Sequence, residues 1–361
     1  MERYPQLVIN LKHARENIEN LVKLCASKGI RMTGVIKVTN GLPELCRAYY
    51  DAGCRILASS RIDQLKSLRE QGIGEEFELL RIPMMSEIPD VISYADISLN
   101  SDGSVLRALN DEAIRQGKTH KVILMVEVGD LREGYWDDDE LLGDAMMVEK
   151  ELEGLYLEGV GMNVGCYGSV LPTHENMQYL IDKAEMIENA IGRRLNVISG
   201  GGTSSLMRVI DGDIPEMIND LRVGGEPLCA YTLKHVYGYP MEWQHEDVLS
   251  MRAEVLEVRE KPSHPIGKLA VDAFGHSQSY EDRGIRTRAL LGIGRLDYGE
   301  PLDIPNEDPD IEVLGASSDH TIVDLGDNKK GYKAGDVIEL RIKYAQLMYM
   351  SARPDVTVKY I

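Results

Sequence analysis

The sequence predicts an α/β protein: a (β/α)8 barrel of the TIM type followed by a smaller all-β C-terminal domain. Short apolar runs alternate with helical patterns over the first two thirds of the chain, which is typical of parallel strands joined by helices. Near Tyr237 this alternation gives way to short β-like runs separated by glycine, proline and aspartate. The chain of 361 residues is also longer than one small core requires and suits two domains.

The barrel is predicted from eight strand-and-helix units. A first helix over 11–28 places Ile18, Leu21 and Cys25 on one face. The predicted strands are 32–36, 55–58, 78–81, 96–99, 121–127, 155–161, 196–199 and 220–223, with helices over 61–71, 101–116 and 174–191 among the connections. We therefore place the barrel in residues 1–237, although its N-terminal strand can belong to either domain.

The second domain is predicted over residues 238–361. Helix-length patterns are missing there, and the predicted strands are 248–258, 268–271, 288–293, 321–324 and 337–342. In a barrel of this kind the chemistry lies at the carboxyl ends of the strands and in the loops that follow them. The residues directly after each barrel strand are therefore the candidates for a site.

Composition excludes several classes of function. The net charge of −19 and the lack of a basic stretch disfavour binding to nucleic acid or to anionic membranes. No apolar run approaches the roughly 20 residues of a membrane span, and the first residues lack the apolar core of a signal peptide. Five scattered cysteines form no CxxC pair, so we expect reduced thiols, no zinc or other metal site, and a cytoplasmic protein.

Lys37 ends the first barrel strand, directly after an apolar run. Partial desolvation at a barrel mouth would lower the pKa of its amine, and a neutral amine condenses with an aldehyde to give a Schiff base. Taken alone, a lysine at this position is more often a solvated residue at a strand end. The hypothesis therefore needs the other motifs.

Two glycine-rich turns predict an anion site. The stretch from Ser199 to Ser205 follows the seventh strand, and its glycines and hydroxyls, Thr203 and Ser204 among them, suit a phosphate. Arg222, Gly224 and Gly225 close the eighth strand, and phosphate sites in these barrels often lie after strands seven and eight. Either turn alone is weak, but together they favour a bound phosphate.

Two further loops offer polar groups. Arg132 follows the fifth strand and could meet a carboxylate or a cofactor oxygen, with Glu127 to orient it. Asn163 follows the sixth strand in a loop of small residues with room for a flat ligand. Cys166 could line that pocket, although a structural thiol is the more common role. Arg132 could equally pair with a surface acid of this acidic chain.

Taken in order, these segments resemble the alanine-racemase-like family of fold-type III pyridoxal-phosphate enzymes, above all its ornithine racemase branch. The resemblance covers nearly the whole chain, and it depends on the order and spacing of the motifs rather than on any one of them. The segments that carry it are 35–37, 159–163, 199–205, 222–225, 294–297 and 315–325.

The resemblance implies roles for these residues. Lys37 would bind pyridoxal 5'-phosphate covalently, and Ser204, Gly224 and Gly225 would hold its phosphate. Arg222 would lie against the pyridine nitrogen, while Arg132 and the backbone around Ser318 would meet the substrate carboxylate. The second domain of one subunit would complete the site of its partner, so the resemblance also implies a homodimer.

The chain departs from the family pattern at several positions. Gly41 stands where the family has a tyrosine that contacts the phosphate, and Asn163 stands where it has a histidine over the ring. Glu127 apparently replaces the lysine-derived group that orients the active-site arginine. Phe274 occupies the place of the catalytic tyrosine, so racemisation requires a different second acid.

The second acid must act on the face of Cα opposite Lys37. Our candidates, in falling order, are His276, Asp272 and Tyr280, each of which could instead be a structural loop residue. Arg222 bears on the reaction type, because a guanidinium beside the pyridine nitrogen disfavours its protonation and weakens the electron sink. That favours reprotonation at Cα, hence a racemase (an isomerase), over a decarboxylase, where we expect an acid at this position.

The substrate is predicted to be ornithine or another basic amino acid. Acidic groups such as Glu226, Asp297 and Asp319 could bind a distal ammonium group, although each could equally be structural in so acidic a chain. Three alternatives stay open: a decarboxylase of basic amino acids, a pyridoxal-phosphate carrier, and a sugar-phosphate enzyme that uses Lys37 alone. The carrier would lack the β domain, and the sugar-phosphate enzyme leaves Arg222 without a role.

Overall fold

The computed structural model describes residues 2–272, 274–277, 279–299 and 308–361, which form two compact units. One unit is continuous, Leu11–His245. The other combines the N-terminal segment up to Asn10 with Glu246–Ile361. Within the described residues, no helix has both the length and the apolar character that crossing a bilayer requires.

The described strands number fifteen in chain order. They are β1 (Gln6–Ile9), β2 (Arg31–Val35), β3 (Ile56–Ser59), β4 (Glu76–Leu79), β5 (Ile97–Asn100), β6 (His120–Met125), β7 (Leu155–Gly161), β8 (Val197–Ser199), β9 (Asp220–Val223), β10 (Leu249–Pro262), β11 (Ile285–Leu291), β12 (Glu312–Ala316), β13 (Thr321–Asp324), β14 (Val337–Arg341) and β15 (Thr357–Tyr360).

The α-helices of the described residues are mostly in the first unit. They are α1 (Leu11–Ala26), α2 (Pro43–Asp51), α3 (Ile62–Glu70), α4 (Ile88–Tyr94), α5 (Gly103–Gln116), α6 (Asp138–Lys150), α7 (His174–Ile191), α8 (Leu206–Asp211), α9 (Glu226–Cys229), α10 (Arg295–Tyr298) and α11 (Tyr344–Met350).

Strands β2 to β9 close into a parallel barrel, which confirms the predicted fold class. Apolar side chains from several strands pack inside it; Ile56, Ile97, Ile123 and Val197 are all buried. Helices cover the outside through one apolar face each, as in α5, whose N-terminus is capped by the Asp102 carboxylate. The predicted barrel strands agree with these bounds to within about two residues, because buried parallel strands are continuous apolar runs.

The second unit is built mainly on one sheet with the order β12-β13-β11-β10-β1-β15, and β14 also pairs with β10. Strand β1 lies antiparallel to β10 and parallel to β15, so the N-terminal strand joins this sheet. The predicted strand 268–271 is absent: those residues lie between β10 and β11, where Leu269 and Val271 are exposed. The unit also contains the short helices α10 and α11.

Residues 238–245 group with the barrel unit, so the division falls at His245 rather than at Tyr237. Two contacts explain this. The Gln244 amide donates a hydrogen bond to the backbone oxygen of Glu226 (2.9 Å), and the backbone N–H of His245 donates to the Asn17 side chain (2.8 Å). These residues carry no helical or strand pattern, so the sequence has no local signal for their attachment.

Candidate active site

Lys37 lies at the carboxyl end of β2, in a single turn of 3₁₀ helix over Lys37–Thr39. As a residue, Lys37 is exposed to solvent. Desolvation by the surrounding protein lowers the pKa of its amine. The nearby guanidinium groups of Arg132 and Arg222 lower this pKa further, whereas Cys166 opposes the shift. The fraction of neutral amine at a given pH is therefore larger than for a solvated lysine.

The two glycine-rich turns meet beside this lysine. The backbone N–H of Gly224 points to the Thr203 hydroxyl oxygen at 3.4 Å, which joins the turn after β9 to the turn after β8. A Cβ atom at Gly224 would lie 2.9 Å from Val35, two residues before Lys37, so only glycine fits there. Gly225 follows directly and precedes the first turn of α9. The two turns and Lys37 thus share one end of the barrel.

The loop after β7 packs against the same turns. The Ser204 hydroxyl donates a hydrogen bond to the backbone oxygen of Val164 (3.0 Å). A Cβ atom at Gly165 would lie 2.8 Å from the Ser204 hydroxyl oxygen, so the contact is tight. Asn163 is half-buried, and its side-chain oxygen lies 3.6 Å from the position of a Cβ at Gly202. Asn163 and Ser204 therefore lie on adjoining loops.

Arg222 is buried at the end of β9 and extends across the barrel. Its Nη1 donates to the Ser199 hydroxyl (2.5 Å) and its Nη2 to the backbone oxygen of Met162 (2.6 Å). A Cβ at Gly161 would lie 3.2 Å from Nη1, so the lack of a side chain on β7 leaves room for the guanidinium. Arg222 is thus held by neighbouring strands at the end of the barrel where the two glycine-rich turns begin.

A buried polar network that sequence reasoning missed lies inside the barrel. The Asp220 carboxylate accepts hydrogen bonds from the Thr33 hydroxyl (2.8 Å), the Ser199 hydroxyl (2.5 Å) and the Arg31 guanidinium (3.1 Å). Glu78 on β4 is also fully buried. The signal for both acids is present in the sequence, because each is a charged residue in a predicted strand that the barrel should bury on both faces.

Tyr49 is a second residue that the sequence analysis missed. It is fully buried on α2, and its hydroxyl donates to the backbone oxygen of Gly224 (2.5 Å). Gly34 on β2 makes room for the ring, since a Cβ there would lie 2.9 Å from it. The glycine-rich turn after β9 is therefore supported by a tyrosine on α2. This tyrosine, Tyr49, lies eight residues after Gly41 in the sequence.

Arg132 lies in the loop after β6, and its guanidinium is held by two neighbours. Glu133 receives hydrogen bonds from its Nε and Nη2 atoms, and Nη1 lies 3.0 Å from the sulfur of Cys166. The expectation that Glu127 orients this guanidinium needs correction. Glu127 accepts hydrogen bonds from the backbone N–H groups of Gly129 (2.6 Å) and Arg132 (3.0 Å), so it shapes the loop while the adjacent acid holds the side chain.

Asp130 connects this loop to the loop that carries Cys166. Its buried carboxylate accepts backbone N–H groups from Tyr167 (3.1 Å) and Val170 (3.4 Å). Burial raises the pKa of Asp130, but these backbone hydrogen bonds outweigh it and the net shift is downward. A Cβ at Gly168 would lie 2.5 Å from the backbone oxygen of Asp130, so the two loops are closely packed.

The candidates for the second acid lie together in the other unit, where His276, Asp272 and Tyr280 line one cavity with Phe274 and Arg295. The Asp272 carboxylate accepts the backbone N–H groups of Phe274 (2.9 Å) and His276 (2.8 Å), and it lies 3.8 Å from the His276 ring nitrogen. The His276 side chain is exposed, and the guanidinium of Arg295 lies over the Phe274 ring at 4.2 Å. The structure therefore groups these candidates within one loop.

Ser318 and Asp319 lie in the turn between β12 and β13 of the same unit. Both are exposed, and the Ser318 hydroxyl donates to the Asp319 carboxylate (2.9 Å). The backbone of Leu296 donates to the backbone oxygen of Ser318 (3.0 Å), and Gly294 allows this approach because a Cβ there would lie 2.3 Å from that oxygen. Two of the sequence segments that carry the resemblance are thus adjacent in space.

Two of the three acids suggested to bind a distal ammonium group of the substrate lie against backbone N–H groups of their own segment. Glu226 is buried, burial raises its pKa to about 7, and its carboxylate lies 3.4 Å from the backbone N–H of Leu233. Asp297 accepts the backbone N–H of Gly294 (2.9 Å) at the start of α10. These two acids have structural roles, while Asp319 remains exposed.

The barrel unit therefore combines a desolvated amine, a hydroxyl- and glycine-lined turn, and two arginines. This donor set fits a phosphorylated aldehyde: an amine for the carbonyl carbon, small residues and hydroxyls for the phosphate, and a guanidinium for a ring nitrogen or a carboxylate.

Sequence comparisons give relatives over nearly the whole chain. The model of the family described as "Alanine racemase, N-terminal domain" matches residues 9–225. An ornithine racemase from Acetoanaerobium sticklandii is 39% identical over 345 residues, which cover 96% of each chain. A lysine racemase from Thermotoga maritima is 37% identical over 357 residues, covering 99% of this chain and 98% of that protein.

Solved structures with the same fold include alanine racemases. That from a D-cycloserine-producing Streptomyces lavendulae aligns with a TM-score of 0.76 over 100% of this chain and 98% of its own, at 18% identity. The alanine racemase from Streptomyces coelicolor gives a TM-score of 0.74 at 18% identity, over 99% and 98% of the two chains. At these identities the likeness bears on the fold alone.

Proposed function

The chain belongs to the alanine racemase family, and from this premise we propose that it is a pyridoxal-phosphate-dependent racemase that interconverts the L and D forms of ornithine or lysine. One observation carries the proposal. The desolvated amine of Lys37 shares one end of a barrel with the turns that bring Thr203 and Gly224 together. The substrate class is supported by the ornithine and lysine racemases with which the chain shares 39% and 37% identity.

The residues of the barrel unit fit the cofactor. Gly224 leaves no room for a side chain beside Val35, and the hydroxyls of Thr203 and Ser204 line the same turns. We assign the phosphate to these groups with Gly225, and the face of the ring to Asn163. When bound, pyridoxal phosphate supplies an electron sink that acidifies the Cα–H of an attached amino acid.

Lys37 has two roles in the proposal. Its neutral amine, favoured by desolvation, would hold the aldehyde of the cofactor. With substrate bound in its place, the free amine would accept or return the Cα proton on one face. Arg132 binds the substrate carboxylate, and its contacts with Glu133 and Cys166 hold the guanidinium in place.

Arg222 favours racemisation over decarboxylation. Its guanidinium is buried and fixed by Ser199 and Met162, so we expect it to disfavour a second positive charge on a neighbouring ring nitrogen. With a weaker electron sink, return of the proton to Cα would be the favoured outcome.

We assign the opposite face of Cα to the second unit of a partner subunit. His276 is the first candidate for the acid there and Asp272 the second; Ser318 and Asp319 would contact the substrate. Exposed apolar side chains support such a homodimer. On the barrel they follow the strands at Met84, Met85, Leu131, Trp136, Tyr167 and Leu171, and on the other unit they include Ile266, Leu269, Val271 and Phe274.

A cytoplasmic setting is part of the proposal. All five cysteines are free, and Cys25, Cys46 and Cys54 are buried with pKa values that burial raises to about 12. Inert free thiols suit a reducing compartment. Fractionation of cells that produce the protein would test this assignment.

The cofactor assignment is tested by absorbance and by chemistry at Cα. Purified protein should show the band of an imine-bound cofactor. Borohydride should remove that band by reducing the imine, which leaves the cofactor attached to Lys37. Lys37→Ala should lack the band, while Lys12→Ala, at an exposed lysine of α1, keeps it. Incubation with L-ornithine, L-lysine or L-alanine in deuterated water should place deuterium at Cα with loss of optical rotation. Release of carbon dioxide would instead identify a decarboxylase, and retained optical purity with every amino acid would identify a carrier.

Mixed dimers test the sharing of sites. If Lys37 and His276 act in one site from different subunits, two inactive variants, Lys37→Ala and His276→Ala, should regain about a quarter to a half of the activity when their subunits are exchanged. A monomer by light scattering, or full activity of His276→Ala, would remove this part of the proposal.

A further inference from the structure

Glu78 has no part in the site described so far, yet it lies fully buried inside the barrel on β4. Neither of its carboxylate oxygens has a hydrogen-bond partner within the described part of the chain. A buried carboxyl group without partners is costly and usually has a functional or electrostatic reason. The charged groups that act on it are Asp220, Arg222, Arg31 and Glu76.

Asp220 and Arg31 compensate each other. The Asp220 carboxylate accepts hydrogen bonds from the Arg31 guanidinium and from the hydroxyls of Thr33 and Ser199. Glu76, nearer the start of β4, is paired with Lys121 at 2.5 Å. Both acids therefore have a positive partner of their own.

Arg222 lacks such a partner among the described residues. The hydrogen bonds of its guanidinium go to the Ser199 hydroxyl and to the backbone oxygen of Met162, and both acceptors are neutral. Glu78 is a buried carboxyl group without a hydrogen-bond partner in the described part of the chain, and Arg222 is one of the charged groups that act on it. With Glu78 ionised, two guanidinium groups face two carboxylates; with Glu78 protonated, one positive charge is left uncompensated.

We infer that Glu78 is a positioning residue for the proposed racemisation, because its carboxylate balances the charge of Arg222 and so sets how strongly that guanidinium repels a proton from the ring nitrogen of the bound cofactor. This inference rests on the proposed function. Burial, aided by Asp220, raises the pKa of Glu78, while Arg222 and Arg31 lower it. The net shift is upward, so Glu78 loses its proton at a pH above the usual acid range and closer to the pH at which the enzyme would work.

The direction of the effect follows from charge. When Glu78 is neutral, the unbalanced guanidinium of Arg222 disfavours a positive ring nitrogen more strongly and the electron sink is weaker. Removal of the Cα proton should then be slower. Glu78→Gln holds the site in this neutral state at every pH, and Glu76→Gln is the matched control on the same strand.

The first test uses the protein without cofactor. Infrared difference spectra across a pH titration should contain the carbonyl band of a buried carboxylic acid. Glu226, whose pKa burial also raises to about 7, should contribute a band of its own. The band assigned to Glu78 is the component that is lost in Glu78→Gln and kept in Glu76→Gln. The Arg222→Lys variant should shift its titration, because the charge beside Glu78 is then distributed differently. Absence of the band from the wild-type protein at every pH would overturn the assignment of a titrating Glu78.

The second test uses the protein with pyridoxal phosphate bound and ornithine or lysine as substrate. Glu78→Gln should lower kcat on the order of tenfold above neutral pH, with little change in KM, and the difference should shrink as the pH falls. The pH titration of cofactor absorbance should move in the same variant. A wild-type spectrum and pH profile in Glu78→Gln would overturn the inference while leaving the proposed function intact.

The two proposals fail separately. A wild-type protein that binds no cofactor would refute the proposed function, and the infrared titration would still report on Glu78. Folding of each variant is checked by tryptophan fluorescence, and Glu78→Met offers a second neutral side chain of similar volume. The inference requires that a neutral group be tolerated here, so unfolding of both variants would also overturn it.

Discussion

Replacing Ser199 with alanine tests the buried network at its central hydroxyl. That hydroxyl donates to Asp220 and accepts from Arg222, both at 2.5 Å, and Ser199 itself is fully buried. Ser199→Ala leaves a buried carboxylate oxygen and a buried guanidinium N–H without this partner. Hydrogen bonds to charged groups contribute about 1.5–3 kcal/mol each, so we expect the free energy of unfolding of the barrel unit to fall by about 4 kcal/mol.

The assay is urea denaturation followed by tryptophan fluorescence. Both tryptophans of the chain, Trp136 and Trp243, belong to the barrel unit, so their signal reports on that unit alone. Analysis at constant m isolates the change in stability. Ser27→Ala is the control: it also removes a hydroxyl hydrogen bond (2.6 Å to a backbone oxygen), but at an exposed position where we expect a loss within about 0.5 kcal/mol.

Two outcomes would refute this reasoning. A loss below about 1 kcal/mol at unchanged m would mean that the hydroxyl does not hold Asp220 and Arg222 in the folded protein. A loss equal to that of Ser27→Ala would lead to the same conclusion. The variant should also lose racemase activity, since Arg222 keeps only its bond to the backbone oxygen of Met162 among the two described for it.

Three further perturbations have defined outcomes. Burial lowers the pKa of His120 to about 4, so the neutral ring stabilises the fold above about pH 6.5 and this stability is lost as the pH falls toward 4; calorimetry over that range should show wild type losing about 3 kcal/mol more than His120→Gln. Gly159→Ala should unfold the barrel or destabilise it by more than about 3 kcal/mol in urea, because its Cβ would lie 1.9 Å from the backbone oxygen of Val197. Glu133→Gln should raise KM about tenfold with a smaller change in kcat, because it loosens Arg132, and unchanged steady-state kinetics would contradict this role.

The barrel was predictable because its signal is local. Each barrel strand is a short, largely buried segment between helical patterns, and the predicted bounds of β7 and β9 match the structure. The sheet of the second unit depends on distant pairing instead. Strands β1 and β15 flank each other from opposite ends of the chain, and no local pattern indicates that partnership.

The site was predictable where motifs are contiguous. The glycines and hydroxyls are contiguous within each of the two motifs, 199–205 and 222–225. The motifs follow consecutive barrel strands, so their meeting could be inferred. The hydrogen-bond partners of an individual side chain could not be predicted from the sequence. Glu127 precedes Arg132 by five residues and Glu133 follows it directly, and the choice between them depends on the backbone turn that Glu127 stabilises. Likewise, Glu78 and Asp220 are recognisable as charged residues of strands that the barrel should bury, but their environment depends on the closure of the barrel.

The position of β1 has a consequence for biosynthesis. This strand leaves the ribosome before the barrel, but its neighbours β10 and β15 are made only after the whole barrel. The barrel unit, a continuous segment from Leu11 to His245, can acquire its structure during translation while the leading strand waits for its partners. Nascent chains stalled once His245 has emerged from the ribosome should therefore carry a protease-resistant barrel, preceded by a protease-sensitive segment that includes β1.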